Sequence, residues 1–87
     1  MRATGELVLR EIAGTHILIP VGDTAAKIHG MITLSDSGLL LWERLQRECT
    51  EEELVETLLA EYEVDRETAE ADVREFLQHL RKVDILN

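Results

Sequence analysis

Asp65-Arg66-Glu67-Thr68-Ala69-Glu70-Ala71-Asp72-Val73-Arg74-Glu75-Phe76-Leu77 opens the longest amphipathic stretch of the chain. Asp65 is a residue type that caps helix N-termini, and Ala69, Val73, Phe76, Leu77, Leu80 and Val83 recur at threes and fours. The spacing predicts a helix to about Lys82, roughly 25 Å long at ~1.5 Å per residue. Arg81 and Lys82 suit its C-terminal dipole. Two shorter helices are expected before it. Ser35 caps one, with Leu41, Trp42 and Leu45 at burial spacings. Thr50 and Glu53 form a capping box for the other, whose stripe is Leu54, Val55, Leu58, Leu59 and Tyr62. Ile85 and Leu86 are expected to fold back onto the core.

Ahead of the helices the periodicity changes to that of strands. Leu7-Val8-Leu9-Arg10-Glu11-Ile12-Ala13 and His16-Ile17-Leu18-Ile19 flank a Gly14-Thr15 turn and read as a hairpin closed by Pro20. Val21-Gly22-Asp23-Thr24 reads as loop and residues 27–34 as a third strand. On that strand Ile28, Gly30, Ile32 and Leu34 share one face, and His29, Met31 and Thr33 the other. The fold class is therefore α+β: a three-stranded antiparallel sheet followed by a three-helix bundle, winged-helix-like, in one domain over residues 1–87.

Composition narrows the function classes. With 45% hydrophobic residues in 87, a single core is affordable and disorder is not expected. One cysteine rules out an internal disulfide, and no apolar run approaches the ~20 residues of a membrane span. The expected compartment is the cytoplasm, with no membrane partner. Residues 48–75 hold twelve acids and two arginines, so a phosphate backbone is repelled and no nucleic acid is expected. A winged-helix DNA-binding regulator would need basic and amide side chains on its last helix. This one begins with Asp65, Glu67, Glu70, Asp72 and Glu75.

No enzyme is expected either. His16, His29 and His79 are spread over two strands and a helix without a second ligand at metal spacing, so neither metal nor cofactor is expected. Cys49 precedes a helix N-terminus, where a dipole lowers a thiol pKa, yet no His or Lys adjoins it. It reads as a loop cysteine. Phosphate-binding glycine loops and a nucleophile elbow are absent from the sequence.

From Gly30 to Leu86 the sequence resembles the PqqD family, peptide chaperones of pyrroloquinoline quinone biosynthesis. The same fold recurs as the leader-recognition element of pathways that modify ribosomally made peptides. The resemblance rests on Leu34, Gly38, Leu41-Trp42, Leu45, Thr50-Glu51-Glu52-Glu53-Leu54, Leu58-Leu59, Tyr62, Val64-Asp65, Ala71-Asp72-Val73, Phe76-Leu77 and Leu80. The family usually has a glycine before two apolar residues where this chain has Val83-Asp84-Ile85-Leu86.

The resemblance implies a non-catalytic protein that takes a leader peptide as an extra strand beside its third strand, next to the last helix. It further implies presentation of that peptide to a modifying enzyme, a radical S-adenosylmethionine (radical SAM) enzyme or another peptide-modifying enzyme. Ile28, His29, Gly30, Met31, Ile32, Thr33 and Leu34 would form the receiving edge, with Gly30 easing close backbone approach. Asp72, Phe76, His79 and Leu80 would contribute from the last helix. Two roles are open to Asp72, a contact for a basic leader residue or a structural hydrogen bond. Phe76 and Leu80 read as core first and groove wall second. An acidic protein–protein adaptor or inhibitory subunit, binding no leader, is the alternative.

Overall fold

The computed structural model describes residues 1–28 and 30–87. The candidate contact His29 lies outside the described residues. The chain is α+β, with a three-stranded antiparallel sheet followed by helices. It divides into two compact units, Gly5–Leu39 and Met1–Thr4 with Leu40–Asn87.

In the first unit, β1 (Leu7–Ile12) and β2 (Thr15–Pro20) form a hairpin around Ala13 and Gly14. Both turn residues have positive φ, 52° and 80°, as a type I′ two-residue turn requires. The turn therefore sits one residue earlier than the expected Gly14-Thr15. Next comes α1 (Gly22–Lys27), where the sequence suggests a loop and the start of a strand. Thr24 anchors it, buried and accepting the Glu6 N–H on its hydroxyl at 2.7 Å.

β3 (Ile32–Leu34) is accordingly three residues long, where residues 27–34 were expected to be strand. Its pairing with β2 explains the shortening. The register sets Leu34 against His16 and Ile32 against Leu18, so the next pair would set residue 30 against Pro20. Pro20 has no N–H to give. Leu18, Ile32 and Leu34 share one face of the sheet, and all three are buried.

α2 (Asp36–Arg44) starts in this unit and ends in the other. Ser35 caps it by accepting the Gly38 N–H at 3.1 Å. Beyond it, α3 (Glu51–Glu61) and α4 (Arg66–Lys82) pack together. Leu41, Trp42 and Leu45 of the α2 end are buried, as are Leu54, Val55 and Leu58 of α3. So are Ala69, Val73, Leu77 and Leu80 of α4. Tyr62 departs from the expected stripe: it is the C-cap of α3 and lies exposed. Arg44 pairs with Glu53 at 3.1 Å, and Arg66 pairs with Glu52 and Glu70.

The chain ends complete this unit. Ala3 and Leu86 form an antiparallel bridge, and Ile85 is buried, in keeping with the fold-back expected for it. Met1 and Cys49 exchange backbone hydrogen bonds of 2.8 and 2.9 Å. Cys49 lies in the loop between α2 and α3, as read from the sequence, and its side chain is buried. Desolvation raises its pKa, outweighing the lowering by Arg44.

The capping box is complete: Thr50 Oγ1 accepts the Glu53 N–H at 3.1 Å, and Glu53 Oε1 accepts the Thr50 N–H at 2.8 Å. Thr50→Ala is expected to cost about 1 kcal/mol of stability in denaturant unfolding. The Glu53 carboxyl is held below its usual pKa by the Thr50 hydrogen bonds, and Asp65 by those from Thr68. A folded-state pKa below the unfolded one gives stability that is complete above the unfolded value. It is lost as pH falls through the folded value. The melting temperature should drop as pH falls from about 5 to about 3, and less steeply in Thr50→Ala.

Candidate functional site

β3 lies at one margin of the sheet, and among the described residues no strand pairs with its outer side. Which backbone groups face outward follows from the hairpin. A two-residue turn makes its flanking pair, Ile12 and Thr15, a hydrogen-bonded one, and pairs alternate from there. Ile17 and Ile19 then bond to β1, while His16 and Leu18 bond to β3 through Leu34 and Ile32. Pro20 falls where β1 asks for no donor, in agreement with this parity. The N–H and C=O of Thr33 therefore point away from the sheet.

This corrects what the sequence suggests about the edge. Residues 28–34 are expected together as the receiving edge, but Ile32 and Leu34 direct their backbone groups to β2. Their side chains are buried, whereas those of Met31 and Thr33 are exposed, Met31 at 62%. Ile28 belongs to the C-cap of α1, and its N–H bonds to the Thr24 carbonyl at 3.0 Å. Gly30 has φ +93°, a conformation L side chains rarely adopt, and a Cβ built there would meet nothing within 4 Å. In the free chain its glycine answers a backbone angle, not a close neighbour.

Two carboxylates flank the residue opposite the other end of the edge. His16, opposite Leu34, lies between two carboxylates: Glu11 is 3.7 Å from Nδ1 and Asp36 is 3.3 Å from Nε2. Sequence spacing missed His16 as part of this region; only the strand register brings Glu11 and Asp36 to it.

The remaining candidates lie on α4, in the other unit. Asp72 and His79 are exposed, Phe76 is half-buried and Leu80 is fully buried. Among the described residues Asp72 has no hydrogen-bond or ion-pair partner in the protein. No group of three His, Cys, Asp or Glu among the described residues is placed to hold a metal ion.

Comparison with known proteins adds the lineage. Residues 15–86 match the family described as Coenzyme PQQ synthesis protein D (PqqD). The chain belongs to the PqqD family. Among solved structures, this PqqD-family chain is similar to TbiB1 in complex with the TbiA(beta) leader peptide. The two are 29% identical with a TM-score of 0.76, over 100% of this chain and 95% of that one. No match was found among curated proteins. The match covers β2, β3 and α1 to α4, whereas the sequence resemblance begins at Gly30.

Proposed function

We propose that this PqqD-family chain is a non-catalytic peptide-binding protein. It captures the leader of a ribosomally made precursor peptide as a strand added to β3. It then presents that peptide to a modifying enzyme, a radical SAM enzyme in this reading. The observation that carries the proposal is the outward N–H and C=O of Thr33, on a margin that no strand pairs with among the described residues. TbiB1, with a leader peptide bound, supports the same use of the fold. Residues 28–34 form the proposed receiving edge, and Asp72, Phe76, His79 and Leu80 are the proposed contribution of α4. Backbone pairing supplies affinity with little sequence demand, and side chains supply selectivity. Tethering raises the local substrate concentration without altering the enzyme's chemistry. The cytoplasm is the proposed compartment, in keeping with a free thiol at Cys49.

Titration of isotope-labelled protein with candidate precursor peptides tests the reading. Shifts in residues 28–34 and 72–80 are expected. Shifts confined to residues 48–70 would instead mark an acidic adaptor surface that binds no leader. Asp72→Asn is expected to weaken binding of a basic leader by about two- to fivefold at low salt, the scale of an exposed charge pair. The difference should fade as salt rises. Isothermal titration at two ionic strengths reads both effects.

A further inference from the structure

β1 is the opposite margin of the sheet, and among the described residues no strand pairs with its outer side. Val8, Arg10 and Ile12 direct their backbone groups to β2 by the parity set at the hairpin turn. Leu7, Leu9 and Glu11 therefore turn theirs outward. Two contacts agree: Glu6, on the inward set, accepts the Val21 N–H at 2.9 Å. The outward carbonyl of Leu9 is met at 3.1 Å by the guanidinium of Arg10. The six-residue edge is twice the length of β3, and Leu9 is exposed beside it.

Free edges of this length recruit other strands unless charges oppose the incoming chain. Here the charges are self-complementary. Glu6 and Arg10 lie four apart with Val8 midway between them. We propose that β1 pairs antiparallel with β1 of a second copy of this chain, about a two-fold axis at Val8. A symmetric antiparallel pairing must match outward groups with outward groups, and an axis that keeps two or more such pairs within β1 falls at residue 8, 9 or 10. At Arg10 the axis would set two guanidiniums face to face. At Leu9 it would leave Arg10 opposite Val8 and Glu11 opposite Leu7. At Val8 each Glu6 meets an Arg10, each Leu7 meets a Leu9, and Val8 meets its copy. Leu9 is thereby covered. Arg10 leaves its own Leu9 carbonyl, which then accepts the Leu7 N–H of the second copy. The sheet becomes six-stranded, in the order β3-β2-β1-β1-β2-β3, and both β3 margins stay free.

One paired strand falls below the ~1,000 Å² of a stable interface, so the dimer is weak and needs concentrated protein. Sedimentation of the intact chain up to about 1 mM should show a concentration-dependent dimer. Arg10→Glu and Glu6→Lys should each abolish it. An equimolar mixture of the two should restore it, because the mixed pair regains both charge contacts. A Val8→Cys variant should form a disulfide-linked dimer on mild oxidation, since that pair is non-hydrogen-bonded and close, and a Leu9→Cys variant should not. This second measurement stands even if a charge variant fails to fold, which circular dichroism would reveal. A monomer at every concentration overturns the proposal. So does a dimer indifferent to both charge reversals, or cross-linking through Cys at 9 in place of 8.

Discussion

Thr33→Pro is expected to weaken leader binding by roughly 10- to 100-fold while the sheet stays folded. Proline removes the N–H that faces away from β2, so the guest carbonyl opposite it is left unpaired. An unpaired group of that kind costs ~1–3 kcal/mol, which sets the fold-change. Ile32→Pro should behave differently. The Ile32 N–H pairs with Leu18 inside the sheet, so its loss unpicks the three-residue β3 and lowers the melting temperature. Isothermal titration together with thermal unfolding separates the two variants. If both lost binding with equal loss of stability, the assigned parity of the edge would be wrong.

Leu80→Ala is expected to have the largest effect on stability. The Leu80 side chain is fully buried, and removing it leaves a cavity that costs about 2–5 kcal/mol. Small domains sit near the lower end of the ~5–15 kcal/mol that holds folded proteins together. A fraction of that variant should be unfolded at 37 °C, and leader binding should fall in proportion to the folded fraction. Leu80→Met, which keeps volume, should restore most of both. His79→Ala, on the exposed face of the same helix, should leave stability nearly unchanged. Urea unfolding of the three variants distinguishes a wall residue from a direct contact. Loss of binding by Leu80→Met at full stability would make Leu80 a contact in its own right.

The helical half of the fold was legible because its signals are local. Thr50 with Glu53, Asp65 before Thr68 and Ser35 before Gly38 each name a cap within four residues, and all three caps form. The 3.6-residue period of Ala69, Val73, Leu77 and Leu80 selects the buried face of α4 with little rivalry. The strand half was less so. α1 is six residues long, with a valine at its N-cap that makes no side-chain cap bond, so no local pattern announces it. Its anchor, the Thr24 hydroxyl under the Glu6 N–H, joins residues eighteen apart.

The receiving edge illustrates the same limit. Alternation sets Ile32 and Leu34 on one face and Met31 and Thr33 on the other, and the first pair is buried while the second is exposed. It does not predict which backbone groups point outward. That depends on Ala13 and Gly14 forming the turn in place of Gly14 and Thr15, because a shift of one residue inverts the parity of every pair. Pro20 carried a usable clue, since a residue without an N–H belongs where no ladder donor is needed. Asp72 and His79 show the converse: their common flank on α4 was readable from spacing, while their exposure was settled only by the fold.

Amide hydrogen exchange at Thr33, with and without a leader peptide, bears on strand addition most directly. The amides of Ile32 and Leu34 should be protected in both states, while that of Thr33 should exchange freely alone and slow on binding. A Thr33 amide already protected in the free chain, or still exchanging freely at saturating leader, would contradict strand addition at β3.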